Sequence, residues 1–247
     1  MKPIRHRIVT ANLFVGNKDP RGGVGKIVSE CLTAFGGRPD VIGIQEGHGR
    51  GILEALARVD GYRLLVARDQ GEAGKDVPTL LRARWELLGH EFTHAVDGTG
   101  TGVFDHPRGF LTVRYVKRGV NVALVNTHMG VIGREREEEA GAGGKVAASA
   151  ADHAKHAALQ NEHVAQLRAD GFTVFVTADA NAHKGVWSES LPSVLETSGM
   201  RVTIMGVDLI ASDPERTLDP TIARIPKELT GSDAHDAIAI SAVETSL

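Results

Sequence analysis

The chain has 247 residues and a net charge of −3 at pH 7, with 42% hydrophobic and 24% charged residues. This composition is typical of a folded globular protein and excludes a disordered chain. The negative net charge excludes a global positive field that would hold a polyanion, so any contact with nucleic acid must be local.

The amino-terminal stretch MKPIRHRIVTANLF carries charge but lacks the apolar segment of a secretory signal. No apolar run reaches the roughly 18 residues of a membrane-spanning helix. The single cysteine, Cys31, excludes an intramolecular disulfide and any multi-cysteine zinc site. We therefore expect a cytoplasmic protein, and the length favours a single α/β domain over residues 1–247.

Short apolar runs bounded by Gly, Pro, Asn or Asp predict strands along the whole chain. The start reads as strand, helix, strand over 7–13, 24–35 and 40–45, whereas the middle predicts consecutive hairpins with no helix between them. Mixed sheets flanked by helices fit this order better than one purely parallel sheet. The runs are RIVTANLFV, DVIGIQE, YRLLVA, TLLRARWELLGHEFTHAV, GFLTVRYV, VNVALVNTH, FTVFVTADAN, VDLIAS and AIAISAV.

Helical patterns are predicted at 24–35, 51–59, 147–169 and 188–198, the last one opened by Ser188 and closed by Gly199. The third of these carries three histidines on one face, together with Val164 and Leu167. We favour histidines that flank a buried stripe over a second metal site, because no carboxylate or cysteine support lies nearby. The three are His153, His156 and His163.

Polar residues that suit a metal or a phosphate end several of the apolar strands. One such carboxylate could simply face water, but the ends of several strands can converge on one crevice. The repetition therefore favours a functional site. The residues are Asn12, Gln45, Glu46, Asn126, Thr127, His128, Asp179, Asn181 and His183.

In this order the motifs resemble the endonuclease/exonuclease/phosphatase superfamily, which includes deoxyribonuclease I, abasic-site endonucleases, inositol polyphosphate 5-phosphatases and neutral sphingomyelinases. The resemblance covers nearly the whole chain. Arg108 in HPRGFLTV is a weaker match to a phosphate-contacting arginine of some family nucleases. The stronger matches are Asn12 in TANLF, Gln45 and Glu46 after PDVIGI, Thr127 and His128 after a strand, Asp179 and Asn181 in TADAN, Asp208 in VDLIAS, and His235 near the end.

The chain also departs from the family pattern. Ala178 replaces the Gly before the family's Asp, and Leu209 replaces the Tyr after its strand Asp. The family's terminal Ser-Asp-His is interrupted here by Ala234. His128 stands where abasic-site enzymes tend to carry Asn, which makes this chain more similar to the deoxyribonuclease, sphingomyelinase and phosphatase branches.

The resemblance implies an α/β sandwich of two mixed β-sheets packed face to face with flanking helices, and a metal-dependent phosphoric ester hydrolase. It implies Mg²⁺, or else Mn²⁺, bound by Glu46, with Asp233 as a further candidate. The other implied roles are His235 as general base or phosphate ligand, Asp208 to orient its ring, Asp179 to position or deprotonate water, Asn12 and Asn181 to bond non-bridging oxygens, His128 to donate to the phosphate or leaving group, and Arg108 to contact phosphate.

The expected substrate is DNA, cleaved by a nuclease. The alternative is a small phosphoester such as an inositol phosphate, a nucleotide or a phospholipid headgroup, which the low positive charge and the 4% aromatic content favour. A third hypothesis is a catalytically inactive relative used for binding. Trp187 and Lys184 could contact a base or a phosphate, although core packing and a solvated lysine are the simpler interpretation.

The stretch GSDAHDAIAI leaves open which aspartate serves the site. Side chains of an extended strand alternate between its faces, so Asp233 shares a face with His235 and Asp236 points the other way. A bulge at Ala234 would reverse this. Asp233 could instead cap the turn that precedes the strand.

Overall fold

The computed structural model describes residues 3–13, 17–49, 51–98, 107–130, 143–182, 187–230, 232 and 235–245. Within these ranges no helix is both long and apolar enough to cross a membrane. The strands are β1 Arg5–Asn12, β2 Val41–Gln45, β3 Tyr62–Leu65, β4 Thr79–Arg82, β5 Glu86–Val96, β6 Arg108–Lys117, β7 Val120–His128, β8 Thr173–Asp179, β9 Arg201–Met205, β10 Asp208–Ser212, β11 Thr221–Ile225 and β12 Ala237–Val243. The helices are α1 Pro20–Phe35, α2 Ile52–Leu56, α3 Gly71–Asp76, α4 Gly143–Ala169, α5 Leu191–Thr197 and α6 Lys227–Thr230, with a 3₁₀ turn at Arg68–Gln70.

The strands form two six-stranded sheets, in the orders β11-β12-β1-β2-β4-β3 and β5-β6-β7-β8-β10-β9. Each sheet has one parallel pair, β1 with β2 and β7 with β8, and all its other pairs are antiparallel. The predicted sandwich of two mixed sheets with flanking helices is confirmed. That residues 1–247 form one domain stays a prediction.

The sheets are buried on both faces, which explains the nearly continuous apolar runs in the sequence. Along β1, Ile8 points into the core between the two sheets, whereas Val9 packs toward α1 on the outside of the first sheet. The second sheet has its own outer core beneath α4 and α5, in which Val125 and Val176 meet Val164.

The helices differ from their predicted bounds for local reasons. Helix α1 begins at Pro20 rather than at residue 24, because the Asp19 carboxylate accepts a hydrogen bond from the Gly22 amide (2.9 Å) and Pro20 supplies the first helical residue. Helix α2 covers only 52–56 of the predicted 51–59, and α4 begins at Gly143 instead of at 147. Helix α5 follows Ser190 and not the predicted Ser188, which lies in the turn before it.

The prediction that the middle of the chain contains hairpins with no helix between them is wrong. A 3₁₀ turn and α3 occupy 68–76 between β3 and β4, where only hairpins were expected. The run TLLRARWELLGHEFTHAV divides into β4 and β5, which lie in different sheets. Strands β9 and β11, both at sheet edges, were not predicted.

Two of the three α4 histidines, which were predicted to flank a buried stripe, are themselves buried. His153 donates from Nδ1 to the Gly130 carbonyl (3.2 Å) and accepts at Nε2 from the Leu191 amide (3.4 Å), so its ring is neutral. His156 contacts the Thr127 hydroxyl (3.1 Å), and His163, which is less buried, contacts Thr112 (2.9 Å). None of the three belongs to a potential metal-binding cluster of the described residues.

We expect these buried rings to make the protein sensitive to acid. Burial lowers the pKa of His153 from 6.5 to about 4 and that of His156 to about 3. The unfolded chain then binds more protons below pH 6.5, so the unfolding free energy is undiminished above that pH and falls as the pH drops toward 4. For His153 alone the loss is on the order of 3 kcal/mol.

The measurement is the melting temperature between pH 7.5 and pH 4.5. His153→Gln should flatten the dependence, and His90→Gln, at an exposed histidine, serves as the control. An equally steep decline in His153→Gln would show that another group governs the acid response.

Candidate active site

The sheet topology brings the predicted site residues to one edge of the sandwich. The parallel pairing places Asn12 opposite Gln45 in the first sheet and His128 opposite Asp179 in the second. Strand β10 is antiparallel to β8, so its first residue, Asp208, also pairs with Asp179. The ends of several strands that are far apart in sequence therefore meet here.

Asn12 joins two carboxylates that come from different sheets. Its Nδ2 donates to Glu46 Oε1 (2.9 Å) and to Asp179 Oδ2 (2.8 Å). Asp179 is 1% exposed and accepts the Asn181 amide at Oδ1 (3.1 Å), and Asn181 Nδ2 donates to the Met129 carbonyl (2.9 Å). Asn12 and Asn181 therefore fix Asp179 in place, and Asn12 links it to Glu46.

Two of these residues have left-handed backbone conformations, Glu46 at φ 60° and Asn181 at φ 48°. Asn tolerates this region, but a glutamate there carries strain of about 1–2 kcal/mol. Such strain persists where the surrounding structure imposes it, and it often occurs at functional sites. The turn it produces directs the Glu46 side chain toward Asn12 and Asp179.

His235 and Asp208 form a hydrogen-bonded pair on one side of Asp179. His235 Nδ1 lies 2.8 Å from Asp208 Oδ2, and its Nε2 lies 3.8 Å from Asp179 Oδ2. Burial raises the pKa of Asp208 to about 6 against the lowering effect of His235. Burial lowers the pKa of His235, because it disfavours the charged ring. The hydrogen bond to Asp208 and the negative charges of Asp208, Asp179 and Glu46 outweigh this effect and raise the pKa to about 9. The pair therefore favours a carboxylate with an imidazolium.

A second imidazole–carboxylate pair lies on the other side of Asp179. His128 Nδ1 bonds Asp76 Oδ2 (2.8 Å), and His128 Nε2 lies 3.6 Å from Asp179 Oδ2. Asp76 Oδ1 bonds His48 Nδ1 (2.7 Å). Burial would raise the pKa of Asp76, but His128, His48 and Arg108 outweigh it and hold that pKa well below its usual range. The hydrogen bond that His48 donates to Asp76 raises the pKa of His48.

Arg108 lies behind His128. Its Nη1 donates to Asp76 Oδ2 (3.1 Å) and to the His128 carbonyl (3.4 Å), and the residue is 8% exposed. The geometry therefore shows Arg108 supporting Asp76 and His128. Its predicted contact with a substrate phosphate stays a prediction.

Two overlapping groups of side chains at this edge could hold a metal ion. Within each group, the ligand atoms lie within 4.8 Å of one another. The first is Glu46, His128 and Asp179, and the second is Asp179, Asp208 and His235. The Nδ1 atoms of His128 and His235 are already hydrogen-bonded to the Asp76 and Asp208 carboxylates. Glu46 and Asp179 offer oxygen ligands, the kind that Mg²⁺ and Mn²⁺ prefer, so the donor set fits such an ion.

Solved structures match this architecture over almost the whole chain. An endonuclease/exonuclease/phosphatase from Bacteroides vulgatus is 17% identical, with a TM-score of 0.69 and coverage of 98% of this chain and 100% of that chain. A family protein from Bacteroides thetaiotaomicron is 16% identical, with a TM-score of 0.67 and coverage of 98% and 96%. TDP2 of D. rerio, complexed with single strand DNA product, is 15% identical, with a TM-score of 0.57 and coverage of 98% and 99%.

This chain has the endonuclease/exonuclease/phosphatase fold. No protein-family model matches its sequence, and no curated protein does. The similarity to these proteins is therefore one of backbone structure, and the chemistry of the site depends on this chain's own residues.

Sequence reasoning missed Asp76, which bonds His128, and His48, which bonds Asp76. Asp76 ends the unpredicted helix α3, three residues before the start of β4. Because β4 is antiparallel to β2, its start lies at the same edge as the end of β2. Recognition of α3 and of this pairing would have placed Asp76 beside Glu46. His48 lies two residues after Glu46, but nothing in its spacing indicated a partner.

Several residues singled out in the sequence lie elsewhere. Asp233, Lys184 and His183 are outside the described residues, so the role predicted for Asp233 stays a prediction. Asp236 bonds the Arg224 side chain and the Lys227 amide (2.8 Å) just before β12 begins at Ala237, and its predicted orientation away from the site stays a prediction. Trp187 packs on His153, with ring centroids 5.4 Å apart.

Proposed function

We propose that this protein is a divalent-metal-dependent phosphodiesterase and that its substrate is DNA. The observation that carries the proposal is the position of Asp179 between two imidazole–carboxylate pairs, with Asn12 joining it to Glu46. Phosphodiester hydrolysis needs an activated water, neutralisation of the phosphate oxygens and a proton for the leaving oxygen. Each need has a candidate among these residues.

Glu46 and Asp179 would hold the metal, which when bound neutralises phosphate charge and polarises the phosphorus–oxygen bond. Asp179 is also placed to orient or deprotonate the attacking water. Asp208 fixes Nδ1 of His235, so its Nε2 faces the reaction centre, where it can bond a phosphate oxygen or exchange a proton with water.

His128 is held in the same way by Asp76, and its Nε2 faces the centre from the opposite side. This placement suits donation to the phosphate or to the leaving oxygen. Asn12 and Asn181 complete the arrangement as amide groups beside Asp179 that would bond non-bridging oxygens, Asn181 with its second Nδ2 hydrogen and Asn12 by exchanging one of its two carboxylate bonds.

The D. rerio TDP2 structure contains a single strand DNA product, which favours DNA over other phosphodiesters for this chain as well. One observation favours a small phosphoester instead. Arg108, the predicted phosphate contact, is buried against Asp76 and does not extend toward a polymer backbone. The second candidate function is therefore hydrolysis of an inositol phosphate, a nucleotide or a phospholipid headgroup by the same site.

We expect activity to disappear in EDTA and to return with Mg²⁺ or Mn²⁺, because the donor set is made of oxygen ligands. The assay uses a chromogenic phosphodiester, supercoiled plasmid, single-stranded DNA, RNA and small phosphoesters in parallel. Full turnover in chelator would contradict the metal assignment. Hydrolysis of small phosphoesters with intact plasmid and oligonucleotide would favour the second candidate. If none of these substrates is hydrolysed, the result favours the third hypothesis, a catalytically inactive relative used for binding.

The cytoplasmic location expected from the sequence is a proposal too. Fractionation of cells that produce the tagged chain tests it, and recovery of the chain outside the cytoplasmic fraction would contradict it.

A further inference from the structure

The end of the sandwich opposite the candidate active site carries a cluster of arginines. Its members are Arg5 and Arg7 at the start of β1, Arg82 at the end of β4, Arg84 in the turn to β5, and Arg118 in the turn between β6 and β7. We call this set the arginine cluster. Strand β1 spans the distance from Arg5 to Asn12, roughly 23 Å at about 3.3 Å per residue, so the cluster is separate from the site.

The backbone and a buried ion pair hold the cluster together. Asp40, just before β2, accepts from the Arg7 amide (2.8 Å) and from Trp85 Nε1 (3.0 Å), and its carbonyl accepts from the Arg82 amide (2.9 Å). Lys117 Nζ bonds Asp40 and the Arg5 carbonyl. Asp40 and Lys117 are 0% and 3% exposed, so this pair is satisfied internally.

Arg5, Arg84 and Arg118 are exposed, whereas Arg7 and Arg82 are half-buried and Arg7 Nη2 donates to the Phe35 carbonyl (3.2 Å). Among the described residues, none of the five forms an ion pair with an Asp or Glu, and Asp40 is already paired with Lys117. Arg84 lies within electrostatic range of Arg7, Arg82 and Arg118, whose charges lower its pKa together with desolvation, the largest cause. Like charges held together without ion-pair partners form a local positive potential, in a chain whose net charge is −3.

The turn of Arg118 is a further indication. Lys117 pairs with Val120, so Arg118 and Gly119 form a two-residue hairpin turn, and both have positive φ, 53° and 85°. Such turns favour Asn, Asp or Gly at the first position. An arginine here is unfavourable for the backbone, but it extends a guanidinium from the tip of the hairpin.

We propose that the arginine cluster is a second, sequence-independent surface for nucleic acid, which binds the phosphodiester backbone. The exposed cations are all arginines, whose planar fork matches phosphate oxygens. The cluster offers no apolar side chain for insertion into a membrane, because its one aromatic residue, Trp85, is 8% exposed and packs between Arg84 and Lys117. The proposal does not rest on the hydrolase activity.

The test is binding of a fluorescein-labelled 20-nucleotide single strand, measured by anisotropy in EDTA over a range of KCl concentrations. The test variant combines Arg5→Gln, Arg84→Gln and Arg118→Asn. The matched control combines Lys26→Gln, Arg58→Gln and Lys155→Gln, three exposed cations outside the cluster. Both variants have the same net charge and an unchanged active site.

The test variant should lower the slope of log affinity against log salt by about 2, since each lost phosphate contact on a single strand contributes about 0.7. Its affinity at 100 mM KCl should fall on the order of 10- to 100-fold. Hydrolysis of a small chromogenic phosphodiester should not change, because the cluster is remote from the site. Arg118→Asn alone should fold normally and bind more weakly, because Asn suits the turn but carries no charge.

Three results would overturn the proposal. They are no detectable binding by the wild-type protein at low salt, an equal loss of affinity in the matched control, and equal or tighter binding to polyglutamate or to phosphatidylserine vesicles than to the oligonucleotide. The last result would assign the cluster to an acidic protein or to a membrane surface.

Discussion

Replacing His235 by Ala is expected to lower kcat for phosphodiester hydrolysis about 10²- to 10⁴-fold, the loss typical of an acid–base group. The position of the His235 ring is fixed, because its Nδ1 lies 2.8 Å from Asp208 Oδ2 and its Nε2 faces Asp179. Asp208→Asn should also lower the rate, because it removes the charge that favours the imidazolium. The double variant should be little worse than His235→Ala alone, because the two residues act as one unit.

The measurement is a double-mutant cycle in saturating metal, with melting temperatures to confirm folding. Asp236→Asn is the control, since this carboxylate bonds the Arg224 side chain and the Lys227 amide, and it should retain near wild-type turnover. Asp233→Asn is predicted to lower turnover at least about tenfold more than Asp236→Asn, on the scale of a lost acid–base contribution. Additive losses of His235→Ala and Asp208→Asn would show that Asp208 acts through another group.

Replacing Glu46 by Gln is expected to raise the metal concentration for half-maximal activity by roughly 100-fold or more, since the loss of even an outer partner of a metal ligand costs 10- to 100-fold. Gln keeps the shape of the side chain and can still accept from Asn12, so the fold should be retained. The change removes one of the two carboxylates that Asn12 joins. The remaining one, Asp179, would then bind the ion without its partner.

Mn²⁺ binding measured by calorimetry gives a readout of this effect that does not depend on activity. Glu54→Gln, at an exposed glutamate of α2, is the control and should bind metal as the wild type does. If Glu46→Gln shows the wild-type metal dependence in both binding and turnover, Glu46 is not the ligand. Weaker metal binding with unchanged turnover at saturation would separate the binding role of Glu46 from a direct role in the chemistry.

The order of the motifs was enough to predict the fold and most of the residues at the edge. Apolar runs that end in Asn, Glu, His or Asp are visible in the sequence because strands buried on both faces leave polar residues only at their ends. Strand alternation also predicted that Asp236 faces away from His235, but β12 begins only at Ala237, so this stays a prediction. These features are local and need no knowledge of distant partners.

The partners of those residues are decided by the tertiary structure. The short helix α3 has no apolar periodicity to reveal it, so nothing local indicated that Asp76 would lie beside His128, 52 residues further along the chain. The arginine cluster is equally invisible in the sequence, because its members lie on two strand ends and two turns that meet only when both sheets form. The sequence by itself determined which strands end in polar residues. Only the pairing and packing of the two sheets decided which of those ends meet. The reason is that hydrogen-bond register and sheet-on-sheet contacts join residues that local patterns cannot connect.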